Sequence, residues 1–175
     1  MVAVVWRSGS PFLHPAPLLS LADSARHTYS AMMGLTVGAL IVMTTRLTAR
    51  FAWARRLHLE LRPVARAMDL RGIVVLALLS AFGEELLFRG LLQPWIGVFA
   101  QALLFGFLHQ VRGSSRYVWM AWATAVGLVL GSMFQVTGSL LGPMVAHALV
   151  NGLNLVYLKN HDPTPARRAL GGLLG

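Results

Sequence analysis

The feature that most restricts the fold of this chain is a run of 42 residues, Tyr117–Leu158, without a single Asp, Glu, Lys or Arg. Two shorter charge-free runs cover His27–Thr45 and Gly90–Val111. Uncharged apolar runs of about 18 residues or more are typical of membrane-spanning helices. Only 12% of all residues are charged, whereas soluble domains average about 25%. The sequence therefore predicts an integral membrane protein and excludes a soluble globular domain.

The expected fold class is all-α, a polytopic transmembrane helix bundle of about five spans. We expect these spans at 28–45, 72–93, 97–113, 117–136 and 138–158, with Pro94 ending the second. The chain then divides into four parts: a mobile or surface-lying lead-in at 1–27, the first span with an Arg-rich segment at 28–70, a core at 71–158 and a polar tail at 159–175. The sequence shows neither an internal repeat nor a second domain.

The basic residues predict the orientation and one partner. The chain has a formal net charge of +9, and seven arginines lie between Arg46 and Arg71, interleaved with Phe, Trp and Leu. Such a segment is typical of an amphipathic helix at the cytoplasmic interface, bound to anionic lipid rather than nucleic acid. Because basic residues concentrate in this segment, in the 112–116 loop and in the tail, we expect the N-terminus outside and the C-terminus in the cytoplasm of the cell (inner) membrane. Cysteine is absent, which excludes a thiol nucleophile and a thiolate metal site.

The second expected span carries charges that a lipid environment disfavours. Glu85 and Arg89 are four residues apart, so they lie on one helix face, and mutual neutralisation is their simplest role. Glu84 points about 100° away and has Phe88 at the same spacing, hence no basic partner on its own helix. Glu84 is therefore a candidate general base.

Two further spans each contribute a histidine. His109 follows Phe105 by one turn, and Asn151 follows His147 by one turn. At about 1.5 Å per residue, Glu84, His109, His147 and Asn151 fall within about 6 Å of one depth in the bilayer. A lone buried histidine is more often a packing residue, but this convergence predicts a polar site within the membrane. Four other histidines lie outside the expected spans and are not expected to be catalytic: His14, His27, His58 and His161.

Together these residues resemble a known family. Glu84-Glu85-x-x-x-Arg89, Phe105-x-x-x-His109 and His147-x-x-x-Asn151 are similar, in this order, to the three motifs of the CPBP intramembrane proteases. That family (CAAX protease and bacteriocin-processing proteins) includes the CAAX prenyl endopeptidases of the Rce1 type and bacterial Abi-domain proteins. The resemblance covers about residues 71–158, and the chain is shorter than the eukaryotic members.

The resemblance implies an intramembrane endopeptidase that hydrolyses a membrane-associated protein or peptide. It implies that Glu84 and His109 activate a water, that His147 and Asn151 stabilise the oxyanion, and that Glu85, Arg89 and Phe105 support the site. Glu85 and Arg89 would brace one end of their span or hold Glu84 in place. A metal-free, glutamate-dependent reaction is favoured, with zinc held by Glu84, His109 and His147 as the alternative.

Other interpretations stay open at the level of sequence. The same fold would also serve a non-catalytic membrane scaffold or a bacteriocin-immunity-like protein, and Gly142-Pro143 is the one hint of a small transporter or channel. Ser80 precedes Glu84 by one turn, but a helix serine usually bonds the carbonyl four residues before it. Trp119, Trp122 and Tyr117 are expected to anchor a helix at the membrane interface.

Overall fold

The protein is described here by a computed structural model that covers residues 9–163. Within this range the chain forms six α-helices and one π-helical segment, which confirms the all-α prediction. In chain order they are α1 (Asp23–Thr48), α2 (Ala52–Arg66), α3 (Leu70–Glu85), the π-helical segment (Leu86–Leu92), α4 (Gln93–Leu108), α5 (Arg116–Thr137) and α6 (Leu141–Asn160).

Four helical stretches in the described range are long and apolar enough to cross a membrane, where the sequence suggested about five spans. They are Asp23–Thr48, Leu70–Leu108, Arg116–Thr137 and Leu141–Asn160. The difference arises because the second and third expected spans belong to one stretch of 39 residues. Pro94 does not end that stretch but occupies the first turn of α4, a position that tolerates the missing N–H.

The long stretch folds back at Gly97. This residue has φ 80° and ψ 169°, a backbone conformation that side chains other than glycine rarely adopt. The arm after Gly97 ends at Leu108 and is therefore about 16 Å long, roughly half of a hydrocarbon layer of about 30 Å. The expected span 97–113 is thus too long, and His109 lies just beyond the helix end rather than inside a helix.

Close helix packing joins α1 to α6. A side chain at Gly34 would overlap the carbonyl oxygen of Gly142, and one at Gly38 would approach the Cα of Ala146 to 3.1 Å. Small residues of this kind let membrane helices approach each other along their backbones. Ser30 extends the contact, because its hydroxyl accepts a hydrogen bond of 2.9 Å from the Gly142 backbone N–H.

The described part of the lead-in packs against the turn between α5 and α6. Leu13 forms an isolated β-bridge with Ser139, and the N–H of Leu140 donates to the carbonyl of Phe12 over 2.9 Å. These residues therefore cover the end of the bundle opposite to α2. Residues 1–8 and 164–175 lie outside the described range, and with them Arg7, Arg167 and Arg168 of the orientation argument.

Helix α2 closes the other end of the bundle. The Glu60 carboxylate accepts hydrogen bonds from the Ser115 backbone N–H (3.2 Å) and the Ser114 hydroxyl (3.2 Å) at the start of α5. Arg62 forms an ion pair of 2.7 Å with Asp162, just after α6. Helix α2 therefore bridges the start of α5 and the end of α6.

Candidate active site

The imidazoles of His109, just after α4, and His147, in α6, lie near one carboxylate oxygen of Glu84. Glu84 lies in the last turn of α3, and its Oε2 atom is 3.4 Å from Nε2 of His109 and 3.8 Å from Nε2 of His147. Both distances exceed a direct N–H···O bond of about 2.9 Å. The Glu84 side chain is 32% exposed, but its Oε2 atom is buried and has no hydrogen-bond partner, and the His147 side chain is almost fully buried.

His109 is oriented by the end of α4. Its Nδ1 atom lies 2.7 Å from the carbonyl oxygen of Phe105. Because a carbonyl oxygen only accepts, Nδ1 carries the hydrogen of this bond, and Nε2 is left to face Glu84. The Phe105 ring packs against the imidazole at a centroid distance of 4.2 Å. Phe105 therefore supports the histidine through both its backbone and its ring.

Glu85 joins a buried network behind the site. Its Oε1 atom accepts a 2.8 Å hydrogen bond from Arg89 and a 2.6 Å hydrogen bond from Nδ1 of His147, and the Glu85 and Arg89 side chains are fully buried. Arg89 also donates to the carbonyl of Gly127 over 3.3 Å and lies 4.4 Å from the centre of the Phe105 ring. The expected pairing of Glu85 with Arg89 is present. Glu85 also orients His147, a contact that the sequence did not predict.

A π-helical segment follows the two adjacent acids and carries Arg89. It begins directly after Glu85 and buries three consecutive residues, Phe88, Arg89 and Gly90. Wide π-helical turns are rare and frequently occur at functional sites. Here the segment directs Arg89 inward, while Glu84 remains at the cavity.

Asn151 contacts a residue that sequence reasoning set aside. Its Nδ2 atom donates a 3.0 Å hydrogen bond to the Ser80 hydroxyl. The hydroxyl of Ser80 in turn points to the carbonyl of Ala77 at 3.4 Å, three residues before it rather than the four expected. Ser80 lies one turn before Glu84 in α3, and Asn151 lies in α6. The packing of α3 against α6 makes them neighbours, and helical periodicity does not reveal this packing.

A cavity of about 390 Å³ connects these groups. Its wall includes Ser80, Glu84, His109, His147 and Asn151. From there it extends along an apolar surface to α2 at the end of the bundle; that part of its wall includes Trp53, Leu57, His58 and Leu61.

Two tryptophans line the cavity as well. The expected interface anchors Trp119 and Trp122 face it, and the Trp119 ring lies 6.3 Å from that of His109.

At the α2 end of the cavity, burial lowers the pKa of His58 below its ordinary value of 6.5. The Glu84 side chain thus lies at one end of a largely apolar cavity.

The zinc alternative was tested on the positions of the donor atoms. Among residues 9–163, no group of three or more His, Cys, Asp or Glu side chains is arranged to hold a metal ion. The Nδ1 atoms of His109 and His147 contact Phe105 and Glu85, so any metal would have to be bound through the Nε2 atoms. The reaction proposed below uses the side chains alone.

Comparison with known proteins gives the family. Over 81 residues the chain is 42% identical to YpbD, an uncharacterised protein of Bacillus subtilis (strain 168); the aligned part is 46% of this chain and 42% of the relative. The chain thus matches less than half the length of that relative. No solved structure matches. Residues 66–153, about half of the chain, match the family described as type II CAAX prenyl endopeptidase Rce1-like. This range contains all three motifs, and the chain belongs to that family.

Proposed function

We propose that this protein is an intramembrane endopeptidase that hydrolyses a peptide bond of a membrane-associated protein or peptide. The observation that carries the proposal is the position of the Glu84 carboxylate, which faces both imidazoles at the wall of a cavity. Membership of the Rce1-like family supports the reaction class. An acidic side chain inside a membrane helix is costly, and such residues usually have a function.

In the proposed reaction, Glu84 and His109 hold one water molecule at the cavity wall. Glu84 accepts a proton from this water as the water oxygen attacks the scissile carbonyl carbon. The proton then passes to the amide nitrogen, the C–N bond breaks, and the products are a carboxylate and an amine. Positioning of the water by two fixed groups replaces the random encounter that uncatalysed hydrolysis requires.

His147 and Asn151 stabilise the negative oxygen that forms during the attack. The Nδ1–H of His147 donates to Glu85, so Nε2 is the ring atom that would donate to the oxyanion, when the ring carries both hydrogens. Asn151 has two hydrogens on Nδ2, of which one is used by Ser80 and the other is available. Donors of this type each contribute a few kcal/mol to the transition state.

We also propose the orientation expected from the sequence, with α2 on the cytoplasmic side of the cell (inner) membrane. Supporting this proposal, α2 contacts the start of α5 and the end of α6 through Glu60 and Arg62. The basic residues of α2, of the 112–116 loop and Lys159 therefore lie at the same end of the bundle, as the positive-inside rule requires. The described lead-in contacts the opposite end.

The experiment that tests the function compares membrane-protein termini between three strains: wild type, a deletion strain, and a strain with Glu84→Gln at the same protein level. If the protein is a protease, the deletion and Glu84→Gln strains both lack the same termini that the wild type has, and those termini identify the substrate. If it is a scaffold, the Glu84→Gln strain has the wild-type termini, which would overturn the proposal.

A further inference from the structure

We propose that the outward face of α2 docks on the anionic lipid surface of the protein's own membrane, and that this docking opens the active-site cavity. The second part rests on the proposed function, because it concerns access to the same site. The argument combines the position of α2, the charges on its outer face and the residues on its inner face.

Helix α2 lies at a membrane interface because of its place between two candidate spans. It connects α1 and the Leu70–Leu108 stretch, both long and apolar enough to span a bilayer, and is itself not among the candidate spans. With 15 residues it is about 22 Å long, enough to lie along one end of the bundle. Its contacts to the start of α5 and the end of α6 fix it there.

The outer face of α2 has the composition of a lipid-docking surface. Arg56 and Arg66 are exposed, and Leu59 between them is 43% exposed. Trp53 and Val64 are 43% and 57% exposed but line the cavity on the other side of the helix. An exposed leucine between two arginines matches the boundary between acyl chains and phosphates, where arginines reach the headgroups. The single acid of the helix, Glu60, is occupied at the start of α5 and does not oppose an anionic surface.

The inner face of the same helix forms one wall of the cavity. Leu57, His58 and Leu61 line it, on the side opposite to Leu59. The Arg62–Asp162 ion pair holds this wall to the end of α6, and Asp162 is half exposed. Lipid phosphates compete with Asp162 for Arg62, and attraction on the outer face pulls α2 away from the cavity. Anionic lipid therefore widens the cavity from the α2 end.

The test uses the full-length chain in nanodiscs of phosphatidylcholine, alone or with phosphatidylglycerol. Electron paramagnetic resonance of spin-labelled phosphatidylglycerol, compared with spin-labelled phosphatidylcholine, measures lipid association. The variant Arg56→Gln/Arg66→Gln is matched with Arg112→Gln/Arg116→Gln, which removes the same charge from exposed positions at the same end of the bundle. We expect the α2 variant to lose phosphatidylglycerol preference by up to about fivefold per arginine, and the control to lose much less. Equal losses would show a general charge effect and overturn the docking surface.

Cavity access is measured separately. Because the chain has no cysteine, Val126→Cys introduces a single thiol at the cavity wall. This thiol is labelled with an impermeant maleimide. We expect labelling to be several-fold faster in nanodiscs that contain phosphatidylglycerol. In the unmodified chain, we expect amide hydrogen exchange of α2 to be faster with phosphatidylglycerol as well. If neither the labelling rate nor the α2 exchange rate depends on lipid charge, anionic lipid does not open the cavity. Both measurements are repeated with Glu84→Gln, so a failed lipid response is distinguishable from a failed peptidase assignment.

Discussion

The Nε2 atom of His109 lies 3.4 Å from Oε2 of Glu84, although the two residues belong to opposite arms of a stretch that folds back at Gly97. In a straight helix about 37 Å would separate them along the axis. The fold-back therefore creates the proposed water-activating pair, and His147 from α6 completes it.

Loss of either member of this pair should abolish peptide hydrolysis. We expect Glu84→Gln, which keeps the shape but not the basicity, and His109→Ala to lower kcat to background while the protein stays inserted and folded. His14→Ala, at the opposite end of the bundle, is the control and should retain activity. Turnover is measured with a substrate identified from the comparison of termini. Near-normal turnover of either site variant would contradict the mechanism.

Asn151 and Ser80 should act on the transition state rather than on substrate binding. Removal of one oxyanion donor typically costs about 10²–10³ in kcat, which we expect for Asn151→Ala. Ser80→Ala leaves the Asn151 carboxamide free to rotate, so kcat should fall by a smaller factor with little change in KM. Ser80→Thr retains the hydroxyl and should restore the rate. If Ser80→Ala changes only KM, Ser80 does not orient Asn151.

The buried Glu85–Arg89 pair should matter for stability. Arg89→Met leaves the fully buried Glu85 carboxylate without its cationic partner, a change that typically costs about 3–5 kcal/mol. The double variant Glu85→Gln/Arg89→Met removes both charges, and we expect a smaller loss. Reversible unfolding in detergent micelles measures both free energies. Equal losses in the single and double variants would mean that the isolated charge is not the cause.

Two glycines inside helices, Gly34 in α1 and Gly83 in α3, provide a matched test of packing. In Gly34→Ala the new Cβ would overlap the Gly142 carbonyl and lie 2.9 Å from the Gly142 Cα, so α1 must shift away from α6. Overpacking of this kind costs about 1–3 kcal/mol. At Gly83 a Cβ would meet nothing within 4 Å, and Gly83→Ala should leave stability unchanged or slightly raised. The unfolding assay measures the free energy of unfolding of both variants. If Gly34→Ala leaves this free energy unchanged, the close contact between Gly34 and Gly142 is wrong.

Chelation distinguishes the metal-free reaction from the zinc alternative. We expect full activity of the purified protein after exhaustive treatment with a chelator in detergent, because the proposed proton transfer uses only Glu84 and His109. Activity that is lost on chelation and restored by zinc alone would establish a metal enzyme.

Much of the site was predictable because it depends on helical periodicity. The spacing of Glu85 and Arg89 predicts their ion pair, which is present. The depth argument predicts that Glu84, His109, His147 and Asn151 converge; the first three meet, and Asn151 lines the same cavity. Their catalytic roles stay predictions. Periodicity does not reveal the contact of Glu85 with His147 or of Ser80 with Asn151, because each joins residues that are distant in sequence.

The amino-acid sequence alone determined that this chain is an all-α membrane protein and which ionisable groups lie within it, because the cost of transferring charges and unpaired backbone groups into lipid depends only on local composition. Tertiary structure decided that α4 ends before His109, that α2 forms a wall of the cavity, and that Glu85 contacts His147. These outcomes depend on the angle of the bend at Gly97 and on how α2, α3 and α6 pack. Contacts between helices, rather than neighbours along the chain, determine both.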